Sequence, residues 1–466
     1  MKEYDLIVIG AGSAAREAAK TAATEYGASV AMIERERWGG SCPNVACTPT
    51  KAYLVAAELT HQINTLASKI GVEVGAARAN LAKVKARKET LTKPQPKWIE
   101  ELQATGYDTY SGTATFVGPQ TLQVEGAELR AEKILIATGS RTAVPPIGGI
   151  DDVDWIDHVS ALELEDLPES LLVVGAGAVG LEFAQAFSRF GSQATIVDAL
   201  DQIAPRSDPQ SAAELQTALG DEGILVILGS LVKRIASDDE GLVATIEPRE
   251  GGDSQEIRVE KVLLASGRAP NIEELGLDVV GIETYKLGIV ADDRMRTNVE
   301  GVWAAGDVNG QAPFTPVAQY QARIAIDDMF GGEPAPADYS VLPTAIFTDP
   351  ELAGVGLTES DAEERGHQVE TVVHAIEHVK RASYIEAKRG LFKIVFDRST
   401  RRVLGLHVVA PGASDIVQGL AVAIRLGATV DDLAQAHHTF PTIGEGVKAA
   451  AEQARLAVPV EEYIEP

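Results

Sequence analysis

The two cysteines of this sequence, Cys42 and Cys47, could form a redox-active pair. They lie in the segment Gly39-Gly40-Ser41-Cys42-Pro43-Asn44-Val45-Ala46-Cys47-Thr48-Pro49-Thr50-Lys51. Two cysteines in a chain of 466 residues cannot build the disulfide scaffold of a small secreted protein. The alternatives are therefore two inert buried thiols or a disulfide that serves chemistry, in which a thiolate acts as the nucleophile.

The spacing of the two cysteines restricts the backbone between them. In a regular helix, residues five apart have Cα atoms roughly 8.6 Å apart, whereas a disulfide tolerates at most about 7 Å. Pro43 and Pro49 can disturb the first helical turns, and a helix N-terminus favours a thiolate. We therefore predict that the segment bends between the cysteines.

Two glycine-rich turns are predicted to position the chemistry, and each follows a short apolar strand and opens a helix. Leu6 to Ile9 leads into Gly10-Ala11-Gly12, and Leu171 to Val174 leads into Gly175-Ala176-Gly177. A second apolar strand of each unit ends at an acid: Ser29 to Ile33 at Glu34, and Ala194 to Val197 at Asp198. The sequence therefore predicts two dinucleotide-binding folds.

Each position of the glycine turn has a physical role. The first glycine permits the turn, the second lets the backbone approach a pyrophosphate at the helix N-terminus, and a third small residue allows close packing. These positions are Gly10, Gly12 and Ala15 in the first unit and Gly175, Gly177 and Gly180 in the second. Glu34 and Asp198 would accept hydrogen bonds from ribose hydroxyls. Because a carboxylate repels a 2′-phosphate, the second site is predicted to prefer NAD(H) over NADP(H).

Charge and hydropathy exclude several other classes of protein. The formal net charge is −27, from 68 acidic and 41 basic residues, so nucleic acid is an unexpected partner. No apolar run reaches the roughly 18 residues that would span a bilayer. Asp5 is followed at once by the first predicted strand, so we expect no signal peptide and a cytoplasmic location without membrane attachment.

With these motifs the sequence resembles the class I flavoprotein pyridine nucleotide-disulfide oxidoreductases, which include dihydrolipoamide dehydrogenase, glutathione reductase and mercuric reductase. The resemblance covers essentially the whole chain. Besides the Gly10 turn it is carried by Gly40 to Lys51, Ala137-Thr138-Gly139, Gly175 to Glu182, Gly267-Arg268-Ala269-Pro270-Asn271, Ala305-Gly306-Asp307 and Pro441-Thr442. It implies an α/β fold with two doubly wound, Rossmann-like domains for FAD and NAD and a C-terminal α+β dimerisation domain.

Breaks in the sequence pattern suggest where the domains begin and end. We predict an FAD-binding domain in residues 1–150, an NAD(H)-binding domain in 151–274, a return to the FAD domain in 275–340 and an interface domain in 341–466. Pro145, Pro146 and Gly148 mark the first boundary. The last domain is predicted to combine strands and helices. The pattern indicates strands at Leu391 to Phe396 and Val403 to Val409 and an amphipathic helix at Ser414 to Leu426.

The resemblance also implies roles for individual residues. FAD would occupy the first fold and NAD(H) the second, and Asp307 would bind the flavin's ribityl chain. Lys51 would pair with Glu182 near the flavin N5, Cys47 would contact the flavin, and Cys42 would be the exposed thiol that meets the substrate. The cofactor-binding residues implied are Gly10, Gly12, Ala15, Glu34, Gly40, Ser41, Thr138, Gly139, Gly175, Gly177, Gly180, Asp198, Gly267, Arg268, Gly306 and Asp307. No metal ligand is predicted, and the third domain would form a homodimer.

One C-terminal position departs from the pattern of the disulfide-exchanging members, which place a histidine before Pro441-Thr442 as the acid/base for the interchange thiol. This sequence matches the proline, the threonine and Glu445 but has Phe440 in place of the histidine. Either His438 substitutes for the missing base, or the substrate needs no proton shuttle at Cys42. A simple solvated role for His437 and His438 is the other interpretation.

Three functions follow as hypotheses. The first is an NAD-linked dithiol dehydrogenase of the dihydrolipoamide type, acting on a lipoyl group of a partner protein or on a similar dithiol or disulfide. The second is a mercuric reductase-like enzyme that passes NAD(P)H electrons to metal ions, quinones or oxidants. The aromatic Phe440 favours it, but the segment from Val458 to Pro466 has no cysteine pair to deliver mercury. The third, a non-enzymatic flavoprotein subunit, leaves Cys42 and Cys47 without a role.

Overall fold

The computed structural model describes residues 1–458, and the C-terminal segment 459–466 lies outside the described residues. The chain divides into two compact units. The first comprises residues 1–52, 85–143 and 267–337, and the second comprises residues 53–84, 144–266 and 338–466. The domain boundaries predicted at residues 150, 274 and 340 stay a prediction.

The strands, in chain order, are β1 Lys2–Ile9, β2 Val30–Glu34, β3 Asp108–Ser111, β4 Thr115–Gly118, β5 Thr121–Val124, β6 Ala127–Ile136, β7 Ser140–Thr142, β8 Ser170–Val174, β9 Gln193–Val197, β10 Leu225–Ile227, β11 Ser230–Asp238, β12 Gly241–Pro248, β13 Gln255–Val259, β14 Lys261–Leu264, β15 Arg268–Pro270, β16 Thr284–Tyr285, β17 Gly288–Ile289, β18 Val302–Ala304, β19 Thr344–Ile346, β20 Glu351–Gly356, β21 Val369–Ala375, β22 Leu391–Asp397 and β23 Val403–Ala410.

The helices are α1 Ser13–Tyr26, α2 Ser41–Val45, α3 Cys47–Thr65, α4 Leu81–Leu91, α5 Gln95–Ala104, α6 His158–Ala161, α7 Ala178–Phe190, α8 Pro209–Asp221, α9 Leu277–Val280, α10 Thr315–Met329, α11 Glu359–Glu364, α12 Lys380–Tyr384, α13 Ala413–Arg425, α14 Val430–Gln435 and α15 Glu445–Ala457. Within residues 1–458, no helix combines the length and the apolar composition needed to cross a bilayer.

The first unit is built on a sheet with the order β3-β2-β1-β6-β5-β4, and β18 also pairs with β6. β1 pairs in parallel with β2 and β6. Its apolar run is buried on both faces, because Leu6 and Val8 join one core cluster while Ile7 and Ile9 join another. This two-sided burial is what a continuous apolar strand predicts.

Small side chains let α1 pack against this sheet. Ala14, Ala15, Ala18, Ala19 and Ala22 are buried in the same cluster as Leu6 and Val8. Since alanine adds little bulk, the helix N-terminus lies close to the carboxyl end of β1, where the Gly10 turn connects the two elements. In this way the local sequence positions the first candidate site.

The second unit repeats the arrangement with a parallel sheet in the order β10-β9-β8-β14. Leu171 and Val173 of β8 pack in the cluster that contains the apolar residues of α7, whereas Leu172 and Val174 pack with the antiparallel sheet β11-β12-β13. The Gly175 turn joins β8 to α7, so the second candidate site has the same strand-turn-helix support as the first.

The C-terminal part of the second unit contains the antiparallel sheet β19-β20-β23-β22-β21. Every residue of β22 is buried, and apolar residues of α13, α14 and α15 share one core cluster with β22 and β23. Two doubly wound parallel folds followed by a mixed α+β domain confirm the predicted fold class.

Candidate active site

The redox segment is bent, as the spacing of its cysteines predicts. Helix α2 ends at Val45, Ala46 has the non-helical angles φ −128° and ψ −97°, and α3 begins at Cys47. The Ala46 N–H donates to the Ser41 carbonyl at 2.9 Å. Cys42 therefore lies in the short helix and Cys47 at the N-terminus of the long one, and both thiols are free.

The neighbours of Cys42 favour its thiolate. Its pKa is lowered to about 6, chiefly by a hydrogen bond with Cys47, with further contributions from Thr315 and from the positive charge of Arg16, while burial opposes the shift. The pKa of Cys47 is raised, chiefly by its hydrogen bond with Cys42. The hydrogen bond between the two sulfurs therefore shifts their pKa values in opposite directions, lowering that of Cys42 and raising that of Cys47.

Accessibility within this chain does not by itself assign the two roles. Cys47 is exposed and Cys42 is half-buried, whereas the resemblance implies that Cys42 is the exposed thiol. The Thr315 hydroxyl lies 3.9 Å from the Cys47 sulfur. The division of labour between the two cysteines therefore stays a proposal, supported by the lower pKa of Cys42.

The sequence reasoning missed the side chains that hold the redox segment. Asn44 donates from Nδ2 to the carbonyls of Trp38 at 2.9 Å and Gly40 at 2.7 Å, and its Oδ1 accepts a hydrogen bond from Trp98 Nε1 at 3.2 Å. Gln95 Oε1 accepts from the Trp38 N–H at 2.7 Å. Since Trp98 and Gln95 are distant in sequence, no local spacing could have indicated them.

The redox segment lies directly against the first glycine turn. Gly40 has φ +75°, and a Cβ atom there would lie 2.4 Å from the Gly12 Cα. Backbone therefore packs on backbone at this point, and only glycine allows it. Ser41 follows as the first residue of α2.

The first glycine turn fits a dinucleotide. A Cβ on Gly10 would lie 2.3 Å from the Ala137 carbonyl oxygen, and Ala15 is fully buried. Glu34 accepts a hydrogen bond from the Ala11 N–H at 3.0 Å. Gly12 is the N-cap of α1 and offers no side-chain cap, so the first N–H groups of α1 are available to a phosphate.

A polar network in the same unit surrounds Asp307. Asp307 accepts a hydrogen bond from Ser140 Oγ at 2.6 Å and lies 3.6 Å from Arg268. Arg268 also donates to Ser140 Oγ at 2.6 Å, and Thr138 donates to the Asn271 carbonyl at 2.6 Å. Gly139, Gly267 and Gly306 belong to the loops that carry these residues. The structure thus gathers three of the predicted motifs, and Ser140 is the member that the sequence reasoning missed.

The second glycine turn has the same local geometry in the other unit. A Cβ on Gly175 would lie 2.4 Å from the Ala265 carbonyl oxygen, and one on Gly180 would lie 1.9 Å from the Gly175 carbonyl oxygen. Asp198 accepts a hydrogen bond from the Ala176 N–H at 2.6 Å. Gly177, the N-cap of α7, again offers no side-chain cap.

Lys51 and Glu182 lie in different units, Lys51 in the first and Glu182 in the second. Glu182 is 4% exposed, and its carboxylate accepts a hydrogen bond from the Phe347 N–H at 3.0 Å. Lys51 is half-buried on α3, four residues after Cys47. Their pairing near the flavin is therefore a proposal.

The C-terminal residues do not form an acid/base pair within the described chain. Phe440 is 69% exposed, and Glu445 begins α15 and accepts a hydrogen bond from the Thr442 N–H at 3.1 Å. His437 is exposed and His438 is half-buried. Within residues 1–458 the His438 ring has no hydrogen-bonding partner, so Glu445 does not orient it.

Comparison with known proteins agrees with this geometry. Residues 4–322 match the pyridine nucleotide-disulphide oxidoreductase model, and residues 342–451 match the dimerisation domain of the same family. A mercuric reductase of Lysinibacillus sphaericus is 36% identical over 451 residues, which is 96% of this chain and 82% of the relative. A dihydrolipoyl dehydrogenase of Thermus scotoductus is 36% identical over 458 residues, 97% of each chain.

A solved structure of a flavoprotein disulfide reductase also resembles this chain. The Cu(II) complex of the HOCl-induced flavoprotein disulfide reductase RclA from Escherichia coli superposes with a TM-score of 0.86 at 29% identity, covering 97% of this chain and 100% of that one. Members of the family bind FAD and NAD(P). The chain is an enzyme of the pyridine nucleotide-disulphide oxidoreductase family and carries that family's dimerisation domain.

Proposed function

We propose that this protein is an NADH-linked flavoprotein reductase whose Cys42–Cys47 pair delivers electrons to an external, thiol-reactive acceptor such as a disulfide, a quinone or another oxidant. The observation that carries the proposal is the missing acid/base pair: Phe440 stands at the histidine position, and Glu445 is bonded to the Thr442 N–H. An acceptor that reacts with a preformed thiolate needs no such pair.

The chain's residues would hold FAD at the first glycine turn, with Gly12 and the α1 N-terminus at the pyrophosphate, Glu34 at a ribose and Asp307 at the ribityl chain. Bound FAD supplies a two-electron relay between the nicotinamide and the cysteine pair. Lys51 and Glu182 are proposed to pair beside it. In that position the Lys51 ammonium and the buried Glu182 carboxylate would offset each other's charge.

With a disulfide as acceptor, the reaction consists of two successive thiol-disulfide exchanges. The Cys42 thiolate attacks one sulfur of the acceptor, forms a mixed disulfide and expels the other half as a thiolate. Cys47 gives its proton to the thiolate released in the first exchange, attacks the Cys42 sulfur, breaks the mixed disulfide and expels the second half as a thiolate. The acceptor gains two electrons, and the cysteine pair loses two as its own disulfide forms. NADH restores the reduced pair.

The preference for NADH rests on Asp198. Its carboxylate lies at the end of β9 and is held by the Ala176 N–H at 2.6 Å and by the Leu200 N–H at 2.8 Å. A negative charge held at this place would repel the 2′-phosphate of NADPH. We propose NAD(H) as the nicotinamide partner and a homodimer as the assembly, since residues 342–451 match the dimerisation domain.

A dihydrolipoamide-type dehydrogenase is the second candidate. The 36% identity to a dihydrolipoyl dehydrogenase over 97% of the chain supports it. This function requires the removal of protons from a dithiol, such as one borne by a lipoylated protein, so a base must reach Cys42. His438 is the residue available for that role, and its loss should then reduce dithiol turnover.

Steady-state turnover of the purified holoenzyme separates these functions. The panel consists of glutathione disulfide, a quinone, Hg(II) and lipoamide with NADH or NADPH, and dihydrolipoamide with NAD⁺. We expect NADH-dependent reduction of at least one acceptor and a loss of about 100-fold or more in Cys42→Ser. Ser68→Ala, an exposed position outside the redox segment, is the control and should keep the wild-type rate.

Two outcomes would contradict the proposal. If Cys42→Ser keeps the rate of every acceptor, the cysteine pair is not the exit point for electrons. If dihydrolipoamide is the fastest substrate and His438→Ala slows it by more than tenfold, the second candidate replaces the first. An intact dithiol rate in His438→Ala would exclude the substitute-base role.

A further inference from the structure

Arg16 is a half-buried cation on the first helix, with Ala15 before it and Glu17 after it. It follows Ala15 on α1, and its N–H donates to the Gly12 carbonyl at 2.9 Å. Its Nε atom is buried and has no hydrogen-bonding partner within residues 1–458. A charged group held in such surroundings loses hydration, so its position calls for a physical explanation.

The ring of Trp98 holds the guanidinium. The Arg16 Cζ lies 4.8 Å from the centroid of the Trp98 ring, and Trp98 is only 8% exposed. An arginine stacked on an indole face gains cation–π attraction and keeps its charge. The stacking therefore gives the cation a defined place without neutralising it.

The nearest carboxylate in sequence is engaged elsewhere. Glu17 forms an ion pair with Arg323 at 2.5 Å. Of the acidic groups that act on the Arg16 charge, Cys42 has a larger effect than Glu17.

The same tryptophan holds the segment that carries this thiol. A Cβ on Gly39 would lie 2.5 Å from Trp98 Cε2, and Trp98 Nε1 donates to Asn44 Oδ1 at 3.2 Å. Asn44 in turn donates to the Gly40 carbonyl at 2.7 Å. One buried ring therefore positions both the cation and the backbone on either side of Cys42.

We propose that Arg16, stacked on Trp98, is a positioning residue that stabilises the Cys42 thiolate and so lets Cys42 attack an acceptor without the C-terminal histidine. The proposal rests on the proposed function, in which Cys42 meets the acceptor. Arg16 takes no proton, because a guanidinium stays charged at all working pH values. It acts through its charge, from the position that the Trp98 ring gives it.

The groups that act on the Cys42 sulfur come from three helices. They are the Cys47 thiol at the start of α3, the Thr315 hydroxyl at the start of α10 and Arg16 on α1, and Lys51 acts on Cys47. Replacing Arg16 removes one contribution and leaves the others. We therefore expect a partial shift in thiolate formation and not its loss.

The test measures the alkylation of Cys42 by iodoacetamide in NADH-reduced holoenzyme, quantified by peptide mass spectrometry from pH 4.5 to pH 9, roughly the range over which a perturbed thiol titrates. We expect the alkylation midpoint to rise by about one pH unit in Arg16→Gln, which is about tenfold less thiolate below the midpoint. Arg16→Lys should recover part of the shift. Lys20→Gln, which removes an exposed cation from the same helix, should leave the midpoint unchanged.

An unchanged midpoint in Arg16→Gln, with normal FAD content and melting temperature, would overturn the proposal. Loss of FAD from Arg16→Gln but not from Arg16→Lys would also overturn it, because Arg16 would then be a cofactor-binding residue. Alkylation needs no acceptor. A failure of the proposed function, seen as intact acceptor turnover in Cys42→Ser, is therefore distinguishable from a failure of this inference.

Discussion

The two glycine turns are alike in local structure but differ in what covers them. Gly40 of the redox segment packs on Gly12 of the first turn, where a Cβ would lie 2.4 Å from the Gly12 Cα. At the equivalent second glycines, a Cβ on Gly12 would meet the Gly40 Cα at 4.0 Å, whereas a Cβ on Gly177 would meet nothing within 4 Å among the described residues. One strand-turn-helix pattern thus serves a covered site and an open one.

The difference has a consequence for ligand exchange. A group held at a covered turn can leave only when the covering segment moves, whereas a group at an open turn can exchange freely. We therefore expect the first site to retain its cofactor through turnover and the second to exchange its nucleotide in every cycle, as a redox relay with a diffusible nicotinamide requires.

The third small position of the turn is Gly180 in the second unit and Ala15 in the first. A substitution at Gly180 should have the largest effect. A Cβ on Gly180 would lie 1.9 Å from the Gly175 carbonyl oxygen, so Gly180→Ala must displace the turn or α7. We expect the apparent KM for NADH to rise by more than about 30-fold, equivalent to about 2 kcal/mol. FAD content should stay normal, and a variant that binds NADH as the wild type does would refute the claim.

A substitution at Gly40 should disrupt the packing of the redox segment on the first turn. Gly40→Ala would place a Cβ against Gly12 in a backbone conformation, φ +75°, that L-residues rarely adopt. We expect FAD content after purification to fall by about tenfold, since strain of about 1.4 kcal/mol opposes closure of the segment. Gly177→Ala is the matched control, and its FAD content should be unchanged. Equal losses in both variants would mean that covering does not distinguish the turns.

The carboxylates at the ends of β2 and β9, Glu34 and Asp198, allow the two sites to be compared in their choice of nucleotide. Asp198→Asn keeps the oxygen that can accept from the Ala176 N–H but removes the negative charge. We expect the ratio of kcat/KM for NADH to that for NADPH to fall by about tenfold, the loss of a repulsion of about 1.4 kcal/mol. Glu34→Gln, in the first unit, should leave this ratio unchanged, and a change in it would show that the two sites are not separate in nucleotide choice.

The smallest effect is expected at Ala15, the counterpart of Gly180. Ala15 is fully buried in the first unit's core, so Ala15→Gly removes one methyl group and adds backbone freedom. We expect a loss of about 1 kcal/mol in the free energy of unfolding, measured by urea denaturation, with FAD affinity kept. A loss several times larger would mean that the first turn needs its alanine as strictly as the second needs its glycine.

Much of the fold could be predicted from the sequence because its signals are local. The apolar runs at Leu6 to Ile9 and Leu171 to Val174 are strands, and the predicted helix at Ser414 to Leu426 differs from α13 by one residue at each end. The bend between the cysteines followed from helix geometry alone. These features depend on spacing along the chain, which the sequence displays.

The side-chain contacts that fix the redox segment could not be predicted in this way. Trp98 contacts Asn44 and Gly39 from α5, and Ser140 bonds Asp307 across 167 positions of the chain. An indole or a hydroxyl carries no sequence signal for the partner it will meet. The contact between Arg16 and the Trp98 ring likewise has no local sequence signal.

The sequence by itself determined the chemistry available: one cysteine pair, two dinucleotide turns with an acid each, and a phenylalanine where a base is expected. Only the tertiary structure decided which backbone covers the first turn and that Arg16 and the redox segment contact the same ring, that of Trp98. The physical reason is that strand, turn and helix preferences act over a few residues, whereas covering and electrostatic contacts join side chains from distant segments once the core has formed.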